Sequence, residues 1–124
     1  MAEEWSVLDK ARPVSGEEAA ALVSTNIDRG RLTTYLRSDL GRLLVLVSNG
    51  TRAMVVLMSG EGDPGEHAVS PGAVGASDGY GLDNGQEDTY EDADTLPLAE
   101  ALEAVRSIID SGQPPAGTSW SVDR

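Results

Sequence analysis

Residues 43–58 constrain the fold most, because two long apolar runs flank a single Asn-Gly pair there. Apolar, β-branched runs on both sides of Asn49-Gly50 are typical of a β-hairpin with a two-residue type I′ turn. That turn predicts a register in which Ser48 lies opposite Thr51. Neither run alternates with polar residues, so we expect both faces of the hairpin to be covered and the hairpin to lie inside a sheet.

Two amphipathic helices are predicted on either side of this hairpin. Ser15 and Glu18 have the spacing of a capping box that begins the first helix, and Gly30 is placed to end it. The second helix is predicted to carry acidic residues and Pro97 in its first turn and to end at Gly112. We expect its apolar stripe to cover the hairpin. The stripe consists of Leu98, Ala101, Leu102, Val105, Ile108 and Ile109.

Three shorter stretches have the patterns of further strands. Residues 31–37 alternate in polarity and predict a half-exposed strand. A second Asn-Gly pair, Asn84-Gly85, predicts a shorter and more polar hairpin within residues 80–90. Residues 118–122 also alternate, and they predict a last strand whose Trp120 packs in the core.

These elements together predict an α+β fold, an antiparallel sheet of about five to six strands with two helices packed on it. At 124 residues the chain is long enough for one domain, 1–124, to bury a core without disulfides. We expect residues 1–14 to form a loosely ordered arm whose Trp5 packs on the domain. The glycine-rich residues 60–79 are expected to form a long loop.

Composition excludes several classes of function. The chain has no cysteine, which rules out disulfides, thiolate metal sites and a cysteine nucleophile. Its first residues lack the pattern of a secretion signal and no apolar run is long enough to cross a bilayer, so we expect a cytoplasmic protein. The net charge is −12, from 21 acidic and 9 basic residues, and nucleic acids and anionic membranes would repel it. A basic protein partner is expected, although acidity also serves solubility alone.

The charges are unevenly distributed along the chain. Seven of the nine basic residues precede residue 53, whereas residues 61–94 contain ten acidic residues and no lysine or arginine. Such asymmetry indicates an acidic surface on one part of the fold.

Candidates for catalysis are few. His67 next to Glu66 could act as a general base, but the chain has no serine-nucleophile, zinc-protease or phosphate-loop motif. Residues 78–85 lack the alternating oxygen ligands of an EF-hand calcium loop. The sequence therefore predicts no enzyme, no metal site, no cofactor and no small-molecule substrate.

Several short motifs together resemble the Imm1 family of immunity proteins. They are Gly-Glu-Gly-Asp-Pro-Gly-Glu-His-Ala at residues 60–68, Leu-Asp-Asn-Gly-Gln-x-Asp-x-Tyr at residues 82–90, the Pro97-Leu98 helix start and the Trp120 end. The likeness covers about residues 31–124. It implies an antidote encoded beside a polymorphic toxin, often a nucleic-acid cytidine deaminase domain, which the immunity protein binds and silences. The resemblance supplies no catalytic residues and fixes no interface.

The resemblance and the charge distribution lead to the same site. A toxin that acts on DNA or RNA needs a basic groove for the phosphate backbone, and a strip of carboxylates is complementary to it. Tyr90 and Tyr80 are candidate aromatic anchors within the acidic strip. The rival hypotheses are a DNA-mimicking inhibitor of another nucleic-acid enzyme and a small acid–base enzyme that uses Glu66 and His67. The predicted toxin-binding residues are Asp63, Glu66, Glu87, Asp88, Tyr90, Glu91, Asp92 and Asp94.

Overall fold

A computed structural model describes residues 3–7, 12–82 and 84–123 of the protein. The main sheet is antiparallel with eight strands, and a separate two-stranded sheet is formed by β7 and β8. The strands are β1 Trp5–Val7, β2 Pro13–Val14, β3 Thr33–Ser38, β4 Leu43–Ser48, β5 Arg52–Met58, β6 Glu66–Val69, β7 Ala76–Gly81, β8 Glu87–Glu91, β9 Leu96–Pro97 and β10 Ser119–Val122. The two α-helices are α1 Gly16–Asp28 and α2 Leu98–Ser111, and Asp92–Asp94 form a 3-10 turn.

The predicted α+β class is confirmed, with a larger main sheet than expected. Its strands run in the order β10-β6-β5-β4-β3-β1-β2, and β9 also pairs with β5. The hairpin of β4 and β5 therefore lies in the middle of the sheet, as its unbroken apolar runs predicted.

Local signals in the sequence set the ends of both helices. The Ser15 hydroxyl accepts a hydrogen bond from the Glu18 amide at 3.1 Å, and the Glu18 carboxylate accepts one from the Ser15 amide at 3.0 Å. Gly30 and Gly112 follow the two helices with φ of 84° and 78°, a conformation that favours glycine. Pro97 precedes α2 as its N-cap rather than lying in its first turn.

Both helices cover the same face of the main sheet. Val105 and Ile108 of α2 are fully buried in one cluster with Leu44, Leu46 and Val55 of the central strands. The cluster also contains residues of α1, and Trp120 packs against it from β10. The predicted stripe of α2 and the predicted core position of Trp120 are thus confirmed.

The predicted register of the central hairpin is wrong by two residues. Ser48 pairs with Ala53 rather than with Thr51. The Asn49 side-chain oxygen accepts hydrogen bonds from the amides of Thr51 and Arg52 at 2.9 and 2.8 Å, which widens the turn beyond two residues. Because the shift is even, every side chain stays on its predicted face.

The expectation that both faces of the hairpin are covered is only partly correct. The helices close one face, whereas on the other face β7 lies over the row of Thr33 and Val47. The next row, Tyr35, Val45 and Val56, is aligned across β3, β4 and β5 and remains partly exposed. We use the term open face for six side chains on this uncovered part of the sheet: Tyr35, Leu43, Val45, Met54, Val56 and Met58.

Two stretches predicted as irregular contain strands. Trp5 is fully buried in the core, so its predicted packing on the domain is confirmed, and it lies in β1, which pairs with β2 and β3 rather than forming a loose arm. The other residues of that arm, 1–2 and 8–11, lie outside the described chain. Residues predicted as a long loop include β6, which pairs with β5 and β10.

Candidate protein-interaction site

The second Asn-Gly hairpin exists as predicted, with Asp83 outside the described residues. We call β7 and β8 the acidic ribbon. A β-bulge lies between Ser77 and Tyr80. The Thr33 hydroxyl donates to the Gly81 carbonyl at 2.6 Å, and the Asn49 side chain donates to the Asp78 carbonyl at 3.1 Å. These bonds fix the ribbon to the end of the main sheet.

The inner face of the acidic ribbon carries its aromatic residues. Tyr80 is fully buried, and its ring centroid lies 4.7 Å from that of Tyr90. The Tyr90 hydroxyl donates to the Asp88 carboxylate at 3.0 Å. Burial and this carboxylate raise the pKa of Tyr90 to about 12. Tyr80 is therefore not available as a contact anchor, contrary to expectation. Tyr90 and Asp88 are half-buried, and the hydrogen bond between them holds both side chains in place.

The outer face of the acidic ribbon presents carboxylates to solvent. Asp78, Glu87 and Glu91 are exposed there. Among the described residues, none of the three carboxylates forms an ion pair. The sequence contains no lysine or arginine between residues 53 and 105. The ribbon therefore carries negative charge that its own strands do not compensate.

Asp92, another predicted contact residue, is engaged within the protein. Its carboxylate accepts a hydrogen bond from the Ser77 hydroxyl at 2.6 Å and lies 3.8 Å from Nε of Arg52. Arg52 also donates to the Thr95 hydroxyl at 2.8 Å and to the carbonyls of Asp92 and Thr95 at 3.0 and 3.1 Å. Arg52 thus ties β5 to the root of the acidic ribbon, a role that sequence spacing could not indicate.

Asp94 is held by the only histidine of the chain. His67 Nε2 lies 3.0 Å from the Asp94 carboxylate, and Nδ1 lies 2.8 Å from the Asp123 carboxylate. A neutral imidazole has one N–H, so both contacts become hydrogen bonds only in the protonated ring. Burial alone would lower the pKa of His67, but the bonds to Asp123 and Asp94 outweigh it and the pKa is raised. We call these three residues the His67 clamp.

Asp63 and Glu66 lie away from the acidic ribbon. The Asp63 carboxylate accepts hydrogen bonds from the amide and hydroxyl of Ser59 in the turn after β5, at 2.9 and 2.8 Å. The ribbon contacts the opposite end of that strand, roughly 20 Å away for seven residues of extended chain. Glu66 lies opposite Leu57 on the helix-covered face. The eight predicted residues therefore do not form one patch.

The surroundings of the ribbon contain an open depression, and the two candidate acid–base residues are separated. Glu66 and His67 lie on opposite faces of β6, so they do not form the acid–base pair that the sequence suggested. A depression of about 470 Å³ beside the ribbon is open, and Asn49, Ser77 and Asp78 are among its polar lining residues. Among the described residues, no group of three or more acidic or histidine side chains could hold a metal ion. In the same part of the chain, neither helix has the length and apolar character needed to span a bilayer.

Comparison with known proteins gives no family assignment. No protein-family model matches the chain, and no curated protein is significantly similar to it. The resemblance to the Imm1 family therefore stays a prediction that rests on the motifs at residues 60–68 and 82–90, together with the Pro97 helix start and Trp120.

Proposed function

We propose that this chain is an immunity protein that binds and neutralises a cognate bacterial toxin in the cytoplasm. A nucleic-acid cytidine deaminase is the toxin class that the motif resemblance favours. The observation that carries the proposal is the outer face of the acidic ribbon, where Asp78, Glu87 and Glu91 are exposed in a stretch without basic residues.

Charge explains how such a face would neutralise the toxin. An enzyme that acts on DNA or RNA binds the phosphates through lysine and arginine side chains. Carboxylates on a fixed ribbon have the same sign of charge as phosphates, so they can occupy or overhang the entrance of the substrate groove. Opposite charges also accelerate encounter, which suits an antidote that must act before damage is done.

The predicted contact residues divide into three groups under this proposal. Glu87 and Glu91 contact the toxin directly, and Asp88 and Tyr90 extend this contact at the margin of the ribbon. Asp92 and Asp94 hold the ribbon and the His67 clamp in place while adding to the negative field. Asp63 and Glu66, at the far end of β5, lie outside the contact.

We infer that the chain does not act as an enzyme. Both ring nitrogens of His67 face carboxylates, which leaves neither nitrogen for a substrate proton. An inhibitor of nucleic-acid enzymes in general would also need an acidic face, so the specificity of binding must be part of the test.

Coexpression of the chain with the toxin domain encoded beside its gene tests the proposal. We expect wild-type protein to rescue growth and to bind the purified toxin domain. The double variant Glu87→Lys/Glu91→Lys should slow association by about tenfold and flatten its dependence on salt. The matched control is Glu17→Lys/Glu100→Lys, which reverses two exposed carboxylates in the first turns of α1 and α2 and should associate at the wild-type rate.

Three results would contradict the proposal. A toxin domain that remains active and unbound beside wild-type protein would remove the assigned function. Equal binding to unrelated basic proteins would favour a general nucleic-acid mimic. Equal association rates for the two double variants would remove the role of the acidic ribbon.

A further inference from the structure

The open face of the main sheet is apolar, yet it is not part of the core. Its central row is Tyr35, Val45 and Val56, and Leu43 pairs with Met58 in the next row. None of these side chains belongs to the buried cluster beneath the helices. Tyr35 is 38% exposed, and the other five side chains of the open face are partly exposed. Apolar side chains that stay together in contact with water are a candidate interaction surface.

Two elements border the open face. The acidic ribbon closes one end, where it buries Thr33 and Val47. At the β6 edge, His67 lies opposite Val56 and continues the central row into the His67 clamp. The Asp94 and Asp123 side chains of the clamp are 45% and 39% exposed. The open face is therefore continuous with carboxylates along two of its borders.

The size of the open face suits the centre of an interface. Three strands by about four residues cover roughly 200 Å². A stable protein complex buries about 800 Å² on each partner, usually as an apolar centre within a polar rim. The open face can supply this centre, and the clamp and the acidic ribbon can supply part of the rim.

Charge selects the occupant. Two copies that met face to face would bring together two chains of net charge −12 and would place both acidic borders against each other. The exposed Arg37 beside Leu43 adds a single positive charge at the far corner. A cationic partner, in contrast, gains attraction from the border while its apolar residues cover the centre.

We propose that the open face is the central docking surface for a protein that presents an apolar patch ringed by lysine and arginine. The partner is the toxin domain, so the identity of the occupant rests on the proposed function. The acidic ribbon accelerates encounter with the toxin, whereas the open face slows its dissociation.

The experiment compares two double variants, each of which replaces two valines with threonines. Val45→Thr/Val56→Thr places hydroxyls on the open face and keeps β-branched side chains in the strands. The matched control, Val74→Thr/Val122→Thr, changes two valines that are 88% and 61% exposed outside the open face. Dissociation from the purified toxin domain is measured for both variants at low and at high salt, after thermal unfolding has shown that each is folded.

We expect the open-face variant to dissociate about tenfold faster at both salt concentrations, and the control to match wild-type protein. Wild-type binding with equal dissociation of both variants would overturn this inference and leave the proposed function standing. No binding of wild-type protein would overturn both. Should the open-face variant not fold, amide protection of β4 and β5 in the wild-type complex replaces it, and unchanged protection would overturn the inference.

Self-association of the wild-type chain provides an independent check. Sedimentation at high salt screens the repulsion between copies. We expect a monomer. A dimer that Val45→Thr/Val56→Thr abolishes would show that a second copy covers the open face, and it would overturn the inference.

Discussion

Replacing His67 with glutamine should remove a pH-dependent contribution to stability. In the protonated state His67 donates to Asp94 and Asp123, which joins β6 to the 3-10 turn and to the end of β10. The pKa of His67 is raised above its ordinary value of 6.5, although burial opposes this, because both carboxylates favour the charged ring. The stabilising contribution is therefore complete below about pH 6.5 and is lost as the pH rises through the raised pKa.

The structure sets the size of this effect. Hydrogen bonds to charged groups contribute about 1.5–3 kcal/mol when they are well shielded, whereas exposed ion pairs contribute about 0.2–1 kcal/mol. The His67 side chain is 15% exposed, but the two carboxylates are 45% and 39% exposed, which brings the value towards the lower range. Deprotonation removes one of the two bonds. At low pH we expect His67→Gln to lower the free energy of unfolding by about 1 kcal/mol, which corresponds to about 3–5 °C in Tm for a chain of this length.

Urea unfolding measures the effect without screening the ion pairs as an ionic denaturant does. The free energy of unfolding is compared at about pH 5.5 and about pH 8.5 for wild-type protein and for His67→Gln, so that the titration of other groups cancels. NMR titration of the single histidine gives its pKa directly. A pKa at or below about 6.5, together with the same pH dependence in both proteins, would refute the reasoning.

Three further substitutions test the packing of the two helices and the contacts that place the acidic ribbon. Gly16→Ala should lower the free energy of unfolding in urea by about 1–3 kcal/mol, because the added Cβ would lie 2.4 Å from the Arg106 carbonyl oxygen. Alanine normally favours a helix, so stability equal to that of wild-type protein would contradict this reasoning. Arg52→Lys should cost about 2 kcal/mol in the same assay, because lysine cannot reproduce the bonds to Thr95; a loss within error of zero would argue against it. Asn49→Ala should speed amide exchange in the acidic ribbon, because it removes the bond to the Asp78 carbonyl; unchanged exchange would show that other contacts suffice.

Local chemistry allowed much of the fold to be predicted from the sequence. The Ser15–Glu18 capping box, Gly112 and the apolar spacing of α2 each depend on residues within a few positions of one another. The Asn84-Gly85 hairpin is local in the same way. Such features were predicted correctly because neighbouring residues alone determine them.

Most of the features that were missed depend on partners distant in the chain, whereas the register of the central hairpin is a local exception that the Asn49 side chain sets. Strand β6 has no clear alternation, and it is defined by pairing with β5 and with Trp120 of β10. The clamp joins His67 to Asp94 and Asp123, and spacing gives no sign of that contact. A run of acidic residues likewise does not show which carboxylates face solvent, as Glu87 does, and which are engaged, as Asp92 is.

The acidic ribbon is a separate two-stranded sheet, and a two-stranded sheet alone is barely stable in water. Side-chain hydrogen bonds from Thr33, Asn49 and Arg52 help to fasten it, while its carboxylates repel one another. We expect its free energy of local opening to lie below that of global unfolding. A cationic surface that neutralises the ribbon should also make it more rigid, so the loss of conformational entropy reduces the affinity. Added salt screens the repulsion between the carboxylates, so it should reduce the fluctuations of the ribbon even without a partner.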